Sequence, residues 1–187
     1  MKKRIFHSLL SLVLMLAFPL LAAAGEKYVE QQLKAAITYN IAKFVNWPDH
    51  AFENERSPLR FCILGNIGFS KELMSLQDRL IGKRPIIIEH SASIADASDG
   101  HILVIASSER GRLDHIFSML QQRPILTVSE MNGFAEQGGM INLVNVGKNI
   151  RFSINLDATA AAKLELSSKL HALATEIIKN ESAQGQP

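Results

Sequence analysis

The chain has 187 residues, 20 Lys and Arg against 18 Asp and Glu, and 47% hydrophobic residues. Domains commonly run about 100–150 residues, so this length suits one domain with a packed core rather than several. Three of the basic residues, Lys2, Lys3 and Arg4, stand at the extreme N-terminus, and the remainder is near neutral. That balance excludes the broad basic footprint by which nucleic-acid binders displace counterions.

The N-terminus reads as an export signal. Lys2-Lys3-Arg4 forms a positive start, Ile5–Phe18 is almost wholly apolar, Pro19 breaks the run, and Ala22-Ala23-Ala24 offers small residues for cleavage. A spanning helix needs about 20 apolar residues; this run is shorter. Cleavage after Ala24 is expected to release an exported protein with a formal charge of −1. Cys62 is the sole cysteine, so no internal disulfide can form. Within Leu59–Leu64 it reads as a small buried hydrophobe.

The mature chain opens with a predicted helix. Val29, Leu33, Ala36/Ile37, Ile41 and Phe44 recur at three- and four-residue steps, with Lys34 and Thr38 on other faces. Trp47-Pro48 closes it, because proline disfavours helical geometry in the preceding residue. The polar stretch 49–58 reads as a loop.

Strand-like and helix-like runs then alternate. Leu59–Leu64, Pro85–Glu89, Ile102–Ala106 and Pro124–Val128 read as strands; Phe69–Ile81 and Ser108–Leu120 read as helices. This rhythm predicts an α/β fold, a central mostly parallel sheet with helices on both faces. Met140–Val146 and Ile150–Leu156 read as an antiparallel hairpin near a sheet edge. Its polar stripe would be Arg151, Ser153 and Asn155. Asp157 is placed to cap a final helical region through Asn180, with an interruption at Ser167-Ser168. Residues 181–187 form a polar tail. The domain is expected to span 25–180.

Motifs for catalysis are missing. The histidines do not show the paired helical spacing of a zinc protease, and neither the nucleophile elbow nor the phosphate loop occurs. Gly65-Asn66-Ile67-Gly68 lacks the third glycine of the dinucleotide fingerprint and reads as a tight turn. Ser107-Ser108-Glu109 reads as a helix cap. No cofactor, metal or catalytic residue is assigned. Core packing and a solvated face are the plainer readings of two features that also fit an interface, since aromatics and arginine are enriched there. One is Tyr39–Pro48, holding Lys43 and Trp47; the other is the hairpin stripe.

The ordered set Lys34–Pro48, Phe61–Gly65, Gly82–Ile86, Pro124–Glu130 with Gly133-Phe134-Ala135, Gly138–Leu143, Ile150–Leu156 and Leu166–Leu170 resembles the YfiR family of periplasmic proteins. The resemblance implies a non-enzymatic repressor. It would bind the periplasmic sensor domain of a YfiN-like inner-membrane diguanylate cyclase and hold down cyclic di-GMP, and a YfiB-like outer-membrane lipoprotein would relieve it. A homodimer is a further expectation. The characterised member is controlled through intramolecular disulfides, which a chain with Cys62 alone cannot reproduce. Lys43, Trp47, Arg151, Phe152, Asn155 and His171 are the expected partner-binding residues. The competing expectation is a periplasmic small-ligand-binding module, because strand-to-helix turns of α/β sheets commonly form pockets.

Overall fold

The computed structural model describes residues 26–179. The expected export segment 1–24 and the expected tail 181–187 lie outside the described residues.

Helix α1 (residues 26–42) leads into a two-residue strand, β1 (Val45–Asn46). The loop 49–58 follows, then β2 (Leu59–Leu64), α2 (Ser70–Met74), β3 (Leu80–Ile81) and β4 (Arg84–Ser91). After a 3-10 turn at Asp96–Asp99 come β5 (Ile102–Ile105), a second such turn at Ser107–Arg112, and α3 (Leu113–Leu120). The chain ends with β6 (Leu126–Ser129), β7 (Ile141–Val146), β8 (Asn149–Asn155), α4 (Leu156–Ala161), β9 (Glu165–Leu166), α5 (Ser168–Leu173) and β10 (Glu176–Ile178).

Eight strands form one sheet in the order β10-β8-β7-β6-β5-β2-β4-β3. Five of its neighbour pairs are parallel; β7–β8 and β3–β4 are antiparallel. The fold is thus the expected mostly parallel α/β sheet. Ile102–Ile105 explains why it needs cover on both faces: all four side chains are buried. Ile102 and Val104 join Phe61, Ile63, Ile86 and Ile88 in the core beneath α1, whereas Leu103 and Ile105 join Cys62, Leu64, Leu113 and Ile116 beneath α3. Burying each such aliphatic side chain contributes about 1.5–3 kcal/mol, so neither face can be left to water.

Several local expectations are overturned. The buried face of α1 is Gln31, Lys34, Ala35, Thr38 and Ile41, while Val29 is 60% exposed and Leu33 37%. Two of the polar members go inside with partners: the Lys34 ammonium meets Glu30 and Glu130, and the Thr38 hydroxyl donates to the Lys34 carbonyl, whereas the Gln31 side-chain oxygen is buried without one. The helix also ends at 42, before Trp47-Pro48, because Val45 and Asn46 pair antiparallel with Leu166 and Glu165.

The helix expected over Phe69–Ile81 stops at Met74. Beyond it, the Ile86 N–H donates to the Arg79 carbonyl and the Asp78 N–H to the Ile86 carbonyl, drawing 78–81 into a hairpin with β4. Gly82, at φ +61°, serves the hairpin turn rather than a helix stop. The turn after β5 has Ala106 at its start and no side-chain cap, so the serine-cap expectation fails there.

The β7–β8 hairpin is present and antiparallel. It lies near the sheet edge as expected, with β10 outside it as the edge strand, paired parallel with Ser153–Asn155. The final region is four short elements, two helices alternating with two strands, rather than one interrupted helix, and Asn155, not Asp157, caps the first by accepting the Ala158 N–H at 2.9 Å.

Candidate partner-binding surface

A groove of about 630 Å³ opens at the amino ends of the central strands, between the end of α1, the 49–58 loop and the start of β4. Lys43, Asn46, Trp47, Phe52, Glu53 and Arg84 are among its lining residues. Its Phe52 belongs to an aromatic stack. The Phe52 and His101 rings lie 4.4 Å apart at 10°, and the Arg84 guanidinium sits 3.5 Å from the Phe52 centroid. Two groups so close cannot share a face, so Phe52 is sandwiched between them. Trp47 meets both rings edge-on at 6.4 Å. Its indole nitrogen is buried and has no hydrogen-bond partner within the structure.

The sheet holds the loop through two residues. Arg84 donates to the Asn54 and Ser57 carbonyls at 2.7 and 3.0 Å. His101 contacts the Ala51 carbonyl through Nε2 at 2.9 Å and accepts the Arg60 N–H at Nδ1, 3.2 Å away. One nitrogen therefore donates and the other accepts, which is the neutral imidazole. Burial pushes the His101 pKa down; the Ala51 carbonyl opposes this, and Arg84 and Arg60 add to it.

Lys43 stands exposed at the groove rim, its ammonium 4.1 Å from the Tyr39 centroid and within 3.2 Å of Asn40 Oδ1. His171 reaches the same end of the molecule by a longer route. β9 pairs with β1, and the Ser167 N–H donates to the Phe44 carbonyl, so α5 starts beside the Lys43–Trp47 segment. Ser167 Oγ and His171 Nε2 are buried without partners.

The hairpin residues are elsewhere. β7 leaves its pairing with β6 at Asn142, so Leu143–Val146 and the facing Asn149–Phe152 run beyond the carboxyl ends of the central strands. Arg151 is exposed there, far from Trp47. Phe152 and Asn155 are only 8% exposed. Phe152 belongs to the core, and the Asn155 amide donates to the Ala135 carbonyl at 2.7 Å while its oxygen caps α4. The proposed polar stripe thus reduces to Arg151, because Ser153 is buried as well.

Phe52, Arg84 and His101 were not singled out by sequence. The available signals were the lone aromatic within the polar 49–58 run and a histidine bordering the apolar run 102–106.

The crevice between β2 and β5, where an α/β sheet of this order would hold a ligand, is filled. A Cβ on Gly65 would meet Ala106 Cβ and Ser108 Oγ at 2.8 Å. Gly65, at φ +81°, is a tight turn and not a phosphate cradle. Cys62 is 3% exposed, and burial pushes its thiol pKa up, so it is a packing residue. Among the described residues no group of His, Cys, Asp and Glu could hold a metal ion, and no helix is long and apolar enough to cross a membrane.

The sequence profile of the YfiR/HmsC-like family matches residues 31–175. The chain belongs to that family. YfiR/HmsC-like proteins are periplasmic regulators of diguanylate cyclase signalling, a regulatory rather than a catalytic family. No functionally curated protein matches the chain. A solved conserved domain protein from Vibrio cholerae O1 biovar El Tor is 12% identical with a TM-score of 0.46. The match covers 64% of this chain and 55% of that one, a likeness too slight to bear on function.

Proposed function

We propose that this YfiR-like protein is a periplasmic negative regulator. It binds the periplasmic sensor domain of an inner-membrane diguanylate cyclase and represses cyclic di-GMP synthesis. Family membership across residues 31–175 is the observation that carries this role. The first 24 residues direct export and are removed. A YfiB-like outer-membrane lipoprotein relieves repression by competing for the regulator.

The docking face is the groove end of the molecule: Lys43 and Trp47, with α5 and His171 beside them. Aromatic and cationic groups around a concavity are what interface hot spots are made of. Repression is a population shift, in which the regulator binds the inactive sensor more tightly than the active one. Carrying a sensor from 1:99 to 99:1 takes about 5.5 kcal/mol of differential affinity, within reach of a few well-packed anchors. The filled crevice between β2 and β5 weighs against a small-ligand module of the usual α/β kind.

The test is capture of membrane proteins on the immobilised mature chain, with mass spectrometry of what is retained. A diguanylate cyclase with a periplasmic domain should be enriched over a bead-only control. Retention of no sensor cyclase from membranes known to contain several contradicts the proposal.

A further inference from the structure

The 49–58 loop is one wall of the groove, and His101 holds it through Nε2 on the Ala51 carbonyl and through its stack on Phe52, while Nδ1 anchors the ring to Arg60 of β2. We propose that His101 is a proton-operated latch: protonating its imidazole releases the 49–58 loop and dismantles the groove, so acid weakens the docking face. As regulation of a partner this rests on the function proposed above, but the latch itself is a property of the isolated chain.

Three features of the geometry support it. An imidazolium has two donors and no acceptor. The Arg60 N–H, now 3.2 Å from Nδ1, would lose its acceptor and face another N–H. Phe52 already carries the Arg84 cation on one face, and protonation sets a second cation against the other. The ring is also only 8% exposed, so water cannot solvate a new charge in place.

Charged groups surround His101 from every packed element. Arg60 on β2 and Arg84 on β4 oppose protonation. Acids are nearby too: Glu53 in the loop, Glu89 on β4, and Asp96 and Asp99 in the 3-10 turn share a cleft with His101. Glu89 is occupied by Arg60 at 3.2 Å, and Asp96 by the Ser93 hydroxyl at 2.9 Å. Asp49 and His50 directly precede Ala51, and His50 and Arg123 line a second cleft with His101. The ring's own hydrogen bonds run to Ala51 and Arg60 backbone atoms, not to a carboxylate, so the acids do not rescue the charge. Releasing the loop does, because it opens the ring to solvent.

Linkage sets the size of the effect. A released imidazole titrates near 6.5, so at pH 5.5 the opening constant should exceed its value at pH 7.5, by up to about tenfold. Hydrogen–deuterium exchange of the mature protein measures this at both pH values, after division by the intrinsic exchange rate at each. Amides of 49–58 should lose protection by up to about tenfold, with those of 102–105 unchanged. His101→Gln keeps a donor for Ala51 but cannot titrate, and its loop should respond alike at both pH values. Equal loop protection in the unaltered protein at pH 7.5 and 5.5 overturns the latch, as does an undiminished acid response in H101Q. Membrane capture at the same two pH values separates the two proposals. Loss of a captured cyclase at pH 5.5, in step with loop opening, supports control of docking. Capture at neither pH, with loop opening intact, counts against the docking function and not against the latch.

Discussion

The Lys34 ammonium lies 2.6 Å from Glu130 Oε2 and an equal distance from Glu30 Oε1, with only 6% of the lysine side chain exposed. It ties α1 to the residue that directly follows β6. Burial works against the charge, yet the hydrogen bonds to Glu130 and Glu30 outweigh it and hold the ammonium above its ordinary pKa. Removing one partner of a buried ion pair leaves the others uncompensated. Lys34→Ala should therefore cost about 3 kcal/mol of stability, read from the urea midpoint at unchanged slope. A shift within the range of ordinary surface substitutions would mean that α1 is held by packing alone.

Gly139 is fixed by what stands over it. A Cβ there would come within 2.1 Å of the Phe134 ring, which is fully buried. Gly139→Ala should destabilise by about 1–3 kcal/mol through overpacking. Thermal denaturation checks it, and an unchanged midpoint would show that Phe134 moves aside freely.

The pH dependence of stability follows from His101. Its folded pKa is depressed, so as pH falls through about 6.5 the unfolded chain takes up a proton that the folded chain refuses. Stability from this group is present above that value and declines below it, toward the depressed folded pKa. Chemical denaturation between pH 8 and 5 should show a plateau and then a fall, with the fall reduced in H101Q.

Sequence periodicity located every central strand because strands buried on both faces read as uninterrupted apolar runs, as in Ile102–Ile105. It failed for α1, where Lys34 and Thr38 are inside and Val29 outside. A polar side chain goes in when a distant partner meets it, and Glu130 is 96 residues away from Lys34. It failed likewise at 75–81, where hydrogen bonds to β4 overrode helical spacing. The groove was half legible. Lys43 and Trp47 stand together in sequence, whereas Phe52, Arg84 and His101 meet only after the sheet forms. Asn155 was misjudged for the same reason, since its partner Ala135 lies in a turn that hydrophobic pattern cannot place.

Partner capture should be lost selectively. Trp47→Ala and Lys43→Glu alter the groove end, whereas Arg151→Ala alters the opposite end. Losing an aromatic hot spot costs about 2 kcal/mol or more, roughly thirtyfold in affinity, so the first two variants should retain little cyclase in the membrane capture and the third should retain it normally. Circular dichroism verifies that all three are folded. Equal capture by all of them would move the docking face away from the groove.

Cyclic di-GMP in cells tests the repressor role most directly. Deleting the gene should raise its level and increase surface attachment, restoring the intact chain should bring both back, and restoring the Trp47→Ala chain should not. Levels that stay the same in the deletion strain across growth conditions in which the protein is present in the periplasm would contradict it.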